Sequence, residues 1–164
     1  MLPGNSLESL IDGARKIVVN PTGECAKLLG KNALDKFNKI ASNMRDDPDR
    51  MVLVEGMPGE PPTSVRLGDQ GPVGAVTVGQ NVYFNPNAWS RTKSYQAPII
   101  VNYFAKLGVS QYQYGVAEVI HEFLHAIGKF GKDLKIGPDG KLDVTKSAEY
   151  QKRVIDACVK KGSP

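Results

Sequence analysis

Two histidines and a glutamate are the residues whose types and spacing could most clearly do chemistry. His121 and His125 are the whole histidine content of the chain, and Glu122 directly follows the first of them. Residues four apart on an α-helix share one face, so both imidazoles could bind the same metal ion. A carboxylate beside that ion could take a proton from water. The segment therefore predicts a metal site that activates water.

The residues around this segment favour a helix with one polar and one apolar side. With His121 at zero, His125 falls at about 40° and Glu122 at about 100° around the helix axis. Apolar residues occupy roughly 160° to 300°: Val116, Val119, Ile120, Phe123, Leu124 and Ile127. Glu118, at about 60°, either supports a ligand histidine through a hydrogen bond or is simply exposed to solvent. The polar side would hold the metal while the apolar side joins the core.

A third metal ligand is needed, because a catalytic zinc ion usually has three protein ligands and one open position. The chain has no third histidine. Side chains after His125 supply the candidates: Asp133, Asp139, Asp143, Glu149 and Asp156, with Cys158 and Tyr150 as less favoured choices. The residue types alone leave this choice open.

Helices and short strands are predicted to position these residues. Apolar stripes at helical spacing predict three helices in the first fifty residues, the first capped by Ser6 and the third extending to Met44. Short β-prone segments follow: Met51–Val54, Ser64–Leu67, Gly74–Val78 and Asn81–Phe84. A hairpin turn at Gly79 would join the last two.

Helical patterns return in the second half of the chain. They cover Ser94–Leu107, Tyr112–Ile127 and about Ser147–Val159, the last capped by Thr145 or Ser147. An irregular, glycine-rich segment separates the last two helices. Together the elements predict one α+β domain over residues 1–164.

Composition excludes several classes of protein. The chain has 164 residues, 41% hydrophobic and 23% charged, which is typical of a single globular domain. Its net charge is +4, but Lys and Arg are dispersed among acidic residues, so we expect no nucleic-acid partner. No apolar run approaches the roughly 20 residues of a membrane helix, and the first residues do not resemble a signal peptide. We expect a monomer.

The two cysteines, Cys25 and Cys158, lie near opposite ends of the chain. They form either a disulfide or two buried free thiols. The disulfide is the favoured alternative, and it would suit a secreted or periplasmic protein.

The segment from His121 to Gly128, HEFLHAIG, resembles the zincin metallopeptidases. Its extension to Gly128 is similar to the metzincin branch, whose motif is HExxHxxGxxH or HExxHxxGxxD. In that branch the glycine ends the helix and turns the chain back toward the metal. Here the position of the third ligand is Gly131, and no methionine follows the motif to form a Met-turn. The chain therefore departs from the strict metzincin pattern.

The resemblance implies a zincin-like fold, a Zn²⁺ ion held by His121 and His125, and Glu122 as the general base. Asp133, two positions beyond Gly131, is the first choice for the third ligand. Glu149 is the alternative, since the gluzincin branch would place a ligand on a separate later helix. A further expectation is that the Gly74–Phe84 hairpin offers an edge strand to an extended peptide.

The function that the resemblance implies is zinc-dependent peptide-bond hydrolysis, by an endopeptidase acting on a peptide or protein. Two alternatives stay open. One is a catalytically inactive binding domain that keeps the zincin fold, and the other is a toxin-like effector protease domain of a larger protein.

Overall fold

The computed structural model describes residues 6–69, 73–92 and 98–160, and these contain both helices and small sheets. The helices are α1 Leu7–Val18, α2 Gly23–Leu29, α3 Ala33–Ala41, α4 Pro98–Leu107, α5 Gln111–Ala126 and α6 Thr145–Val154. The strands are β1 Met44–Asp46, β2 Met51–Val54, β3 Thr63–Arg66, β4 Ala75–Val78, β5 Asn81–Phe84, β6 Lys135–Ile136 and β7 Leu142–Asp143. This confirms the predicted α+β class.

Helix α5, which carries the two histidines, lies at the centre of the main core and contacts α1, α3, α6 and the sheet. Its predicted apolar side is buried apart from the half-buried Ile127, and the Phe123 and Phe37 rings pack edge to face at a centroid distance of 5.2 Å. The N-terminus of α5 is closed by Ser110 and Gln113, each of whose side chains accepts a hydrogen bond from the other's backbone N–H. The helix is therefore fixed along one side and at its start.

The sheet beside α5 has the strand order β1-β5-β4. Strand β1 runs parallel to β5, whereas β4 runs antiparallel to β5 through a two-residue turn at Gly79, whose φ is 64°. Strand β4 is therefore an edge strand among the described residues, and it also packs against α5. Strands β2 and β3 form a separate hairpin, as do β6 and β7.

Several predicted boundaries were wrong. The third helix ends at Ala41, because Met44 pairs with Val82 as part of β1 instead of continuing the helix. The segment after the histidines, predicted to be irregular, contains the short β6–β7 hairpin. Ser94, the predicted start of a helix, lies outside the described residues.

Of the two helix caps that were predicted, the cap of α1 is confirmed and the cap of α6 was wrong. The Ser6 hydroxyl accepts the Ser9 backbone N–H at 3.1 Å, which confirms Ser6 as the cap of α1. Helix α6 begins earlier than predicted, and neither Thr145 nor Ser147 caps it. Instead, the Asp143 carboxylate accepts the Thr145 backbone N–H at 2.9 Å.

A disulfide joins Cys25 on α2 to Cys158, in the π-helical turn Ile155–Val159 that continues α6. The two Cα atoms are 4.7 Å apart. The bond confirms the favoured prediction and links the C-terminal helix to the N-terminal helices. Within the described ranges no helix combines the length and apolar character needed to span a bilayer.

Candidate metal centre

Three donor atoms converge at the polar face of α5. His121 Nε2 and His125 Nε2 are 3.1 Å apart, and Asp133 Oδ2 lies 3.0 Å from the first and 2.9 Å from the second. The Glu122 carboxylate lies beside them, with its Oε2 3.7 Å from His121 Nε2. The group formed by His121, Glu122 and His125 could hold a metal ion.

Asp133 reaches the histidines because the chain reverses sharply after α5. Gly128 has a φ of 80°, in the left-handed region that favours glycine. The N–H groups of Gly128 and Lys129 donate to the carbonyls of His125 and Leu124 at 3.1 and 2.9 Å, the pattern of a Schellman cap. The glycine thus ends the helix and directs the following loop back over the imidazoles.

The tautomer of His121 follows from its other neighbour. Gln151 on α6 is buried, and its Nε2 donates to the Tyr114 carbonyl at 3.1 Å, which fixes the orientation of the amide. Its Oε1 then faces His121 Nδ1 at 2.9 Å, so Nδ1 must carry the proton. In the neutral ring, Nε2 keeps its lone pair and directs it toward His125 and Asp133. This is the arrangement of a metal-binding histidine.

The donor geometry fits a small divalent ion. Bonds of about 2.0–2.1 Å in a tetrahedral site separate the ligand atoms by about 3.4 Å. The observed separations of 2.9–3.1 Å need only a few tenths of an ångström of widening. Two imidazole nitrogens and a carboxylate oxygen are also ligands that zinc accepts.

The electrostatics of the site favour a positive charge at the point of convergence. Burial alone lowers the pKa of His121, but the Glu122 and Asp133 carboxylates outweigh burial and raise it to about 9. Burial raises the pKa of Asp133, but hydrogen bonds from His121 and His125 outweigh this and hold it well below its usual range. Two carboxylates thus face the imidazoles, and a bound cation would be stabilised by both.

Glu122 is held by the edge strand. Thr77 on β4 places its hydroxyl 3.0 Å from Glu122 Oε1 and 3.2 Å from the Glu122 carbonyl oxygen. The Glu122 side chain is buried, with 7% of its surface exposed. Because Thr77 engages Oε1, Oε2 is the oxygen that points toward the histidines and is placed to exchange a proton with a group bound there.

Aromatic rings enclose the other side of the histidines. The Phe130 and Tyr150 rings stack at 4.1 Å with an interplanar angle of 7°, and both meet the His125 ring edge to face. The Tyr150 hydroxyl accepts the Gly131 backbone N–H at 3.3 Å. Tyr150 therefore packs against the imidazoles and holds the loop that carries Asp133.

The other candidates for the third ligand lie elsewhere. Glu149 is on the outer side of α6, where its side chain is 64% exposed and pairs with Lys146 at 3.7 Å. Asp143 accepts the Thr145 backbone N–H at 2.9 Å, and Asp156 pairs with Lys152 at 2.6 Å. Asp139 accepts the Lys141 backbone N–H at 3.0 Å, and Cys158 is in the disulfide. Tyr150 packs its ring against both imidazoles, but its hydroxyl accepts the Gly131 backbone N–H. Of the carboxylates considered, the structure brings Asp133 alone to both histidines.

Two residues of the site were missed by the sequence analysis. Thr77 gave no local signal, because its role depends on how β4 packs against α5. Gln151 did leave a signal: it occupies a buried position in line with Val154, Ile155 and Cys158 at helical spacing. A polar residue on an otherwise apolar stripe is expected to have a hydrogen-bond partner in the core.

Two cavities open beside Glu122. The larger, called here the cleft, has a volume of about 1060 Å³ and runs between β2, β4, the end of α5 and the loop to Asp133. The smaller, called here the Glu118 cavity, has a volume of about 470 Å³. Its lining includes Glu118, His121 and Glu122 of α5, Gln151 of α6, and the aromatic residues Trp89, Tyr103 and Tyr114.

Comparison with known proteins finds no matching family, no matching curated protein and no matching solved structure. The site must therefore be interpreted from its own geometry.

Proposed function

We propose that the protein is a zinc-dependent peptidase whose metal ligands are His121, His125 and Asp133. The observation that carries the proposal is the convergence of their three donor atoms within 3.1 Å of one another, beside the Glu122 carboxylate. Three protein ligands next to a general base are typical of a catalytic zinc site, whereas a structural site usually has four protein ligands.

When bound, zinc would supply a water of pKa near 7 and polarise the scissile carbonyl. Glu122 Oε2 would accept the proton from that water and later deliver it to the leaving amine. The Thr77 hydroxyl would keep Glu122 in position through Oε1. Gln151 would hold His121 in the tautomer that presents Nε2.

The substrate would bind in the cleft as an extended peptide. One edge of β4 is without a neighbouring strand among the described residues, and residues 75–78 of this strand line the cleft. Backbone groups on such an edge can pair with those of a peptide without regard to its side chains. Because such pairing along a strand engages several residues of a peptide, an endopeptidase suits the cleft better than an exopeptidase.

The disulfide bears on where the protein acts. A bond between Cys25 and Cys158 persists in oxidising compartments and is rare in the reducing cytosol. A secreted or periplasmic location therefore accords with the proposed peptidase.

Cleavage of a diverse peptide library by the zinc-loaded protein, followed by mass spectrometry, tests the function. We expect cleavage by the wild type and a fall in kcat of at least a hundredfold for Glu122→Gln, because general-base catalysis contributes about 10²–10⁴-fold. Glu149→Gln is the matched control, since it makes the same chemical change on the outside of α6 and should leave the rate unchanged.

The result also separates the peptidase from a zincin-like binding domain without activity. Such a domain would bind zinc, cleave no member of the library and show no effect of Glu122→Gln. Either that outcome or equal cleavage by wild type and Glu122→Gln would refute the proposed function.

A further inference from the structure

The Glu118 cavity combines apolar walls with one deep carboxylate that the proposed chemistry does not use. Glu118 lies one turn before Glu122 on α5, about 6 Å further along the helix axis. Its carboxylate packs against the backbone at the start of β4, because a Cβ added to Gly74 would collide with it. The carboxylate is thus at the wall of a cavity that His121 and Glu122 also line.

The charge of Glu118 is poorly compensated by the protein. Among the described residues that line the cavity there is no lysine or arginine. Burial and the nearby Glu122 charge raise the pKa of Glu118 to about 7, despite a hydrogen bond from Ser90 and the positive charges of His121 and Arg91. A ligand that brought a cation to this carboxylate would relieve the cost of burying it.

The walls of the cavity also suit a cation on an apolar stem. Tyr103 lies between Trp89 and Tyr114, at centroid distances of 6.4 and 6.1 Å. Aromatic faces attract guanidinium and ammonium groups, and the aliphatic stems of arginine and lysine pack well against apolar walls. The volume of about 470 Å³ accommodates a long side chain.

We propose that the Glu118 cavity selects an arginine or lysine side chain of the substrate close to the scissile bond. The stem of that residue would lie between Leu134 and the aromatic residues, and its cationic end would pair with Glu118. This inference rests on the peptidase proposed above, but it concerns substrate preference and is tested separately.

The first test uses the fluorescence of Trp89, which is the only tryptophan of the chain and lines the cavity. The zinc-loaded protein is titrated with butylguanidinium and with butylurea, a neutral compound of nearly the same shape. We expect butylguanidinium to bind the wild type more tightly than Glu118→Gln by roughly tenfold or more, as for loss of one charge-assisted hydrogen bond. Butylurea should bind both proteins alike, and Glu149→Gln should behave as the wild type.

The second test compares kcat/KM for paired peptides that differ only in arginine or norleucine at the selected position. Glu118→Gln should lower kcat/KM for the arginine peptide by roughly tenfold or more, with less than a threefold change for the norleucine peptide. Equal binding of butylguanidinium to wild type and Glu118→Gln would overturn the proposal, as would a library preference for apolar side chains in both proteins. Because the fluorescence titration needs no turnover, it decides the proposal even if the protein cleaves no peptide.

Discussion

The two oxygens of Glu122 have different surroundings. Oε1 accepts the Thr77 hydroxyl at 3.0 Å, whereas Oε2 faces His121 Nε2 at 3.7 Å. A carboxylate that was free to rotate would spend part of its time turned away from the histidines. The hydrogen bond from the edge strand removes that freedom, so under the proposed function β4 would both bind substrate and position the base.

Glu118 should make the stability of the metal-free protein depend on pH. Its pKa is raised from 4.5 to about 7 by burial and by Glu122, so the folded state holds a proton that the unfolded state releases near pH 4.5. The contribution of this proton to the unfolding free energy is fully present below pH 4.5 and is lost as the pH rises through about 7. The neighbours that set this pKa are Ser90, Arg91, His121 and Glu122.

Glu118→Gln removes this proton equilibrium and keeps the shape of the side chain. Relative to the wild type, the variant should gain unfolding free energy between pH 4.5 and 7, by at most about 3 kcal/mol. Urea denaturation at a series of pH values in the presence of a chelator measures the difference. Parallel curves for the two proteins would show that the pKa of Glu118 is the same in the folded and unfolded states, which would contradict the prediction.

Helix α6 supports the candidate metal centre although it contributes none of the proposed ligands. Gln151 joins His121 Nδ1 to the Tyr114 carbonyl, and thereby connects α6 to two points on α5. The same helix supplies Tyr150, whose hydroxyl binds the backbone of the loop that carries Asp133. The position of α6 therefore bears on the orientation of His121 and on the course of the loop to Asp133, two of the proposed ligands.

Gln151→Leu should lower zinc affinity by about 10–100-fold, as is typical when the hydrogen-bond partner of a ligand histidine is removed. The leucine fills a similar volume but leaves His121 Nδ1 and the Tyr114 carbonyl without their partner. Competition with a fluorescent zinc chelator measures the affinity. Gln151→Glu should recover part of it, since a carboxylate again accepts from Nδ1, and equal affinities in all three proteins would contradict the assigned role.

The elements that local patterns describe well were predicted from the sequence. The apolar side of α5 and the β4–β5 hairpin follow from residue types within a few positions of one another, whereas the turn at Gly128 was expected from the resemblance to metzincins. Strand β1 was missed because Met44 continues the helical spacing of α3, and only its pairing with Val82 shows that it is a strand. Pairing between segments so far apart has no local sequence signal.

The residues of the site also divide into those that local sequence patterns predict and those that depend on tertiary packing. His121, Glu122 and His125 follow from their spacing, and Asp133 from its place after the glycine-rich turn. Thr77 and Gln151 act across 45 and 30 positions of the chain, so their partners depend on tertiary packing. Glu118 was left undecided between support of a ligand and solvent exposure, and it instead faces a cavity.

The disulfide between α2 and the end of α6 cross-links the N-terminal and C-terminal parts of the molecule. The bond closes a sequence separation of 133 residues, and a closed loop of this length restricts the unfolded chain strongly. Replacing both cysteines by serine should lower the unfolding free energy by about 2–5 kcal/mol, as measured by urea denaturation. Wild type in a strong thiol reductant should approach the stability of the variant, and a variant as stable as the oxidised wild type would contradict this role.

Zinc content tests the central claim of a three-ligand metal centre most directly. Purified wild type, Asp133→Ala and Glu149→Ala are dialysed against the same free zinc concentration, and bound zinc is measured by mass spectrometry. We predict one zinc per chain in wild type and in Glu149→Ala, and much less than one in Asp133→Ala, because one of three ligands is lost. No zinc in the wild type, or full zinc in Asp133→Ala with loss in Glu149→Ala, would contradict the account.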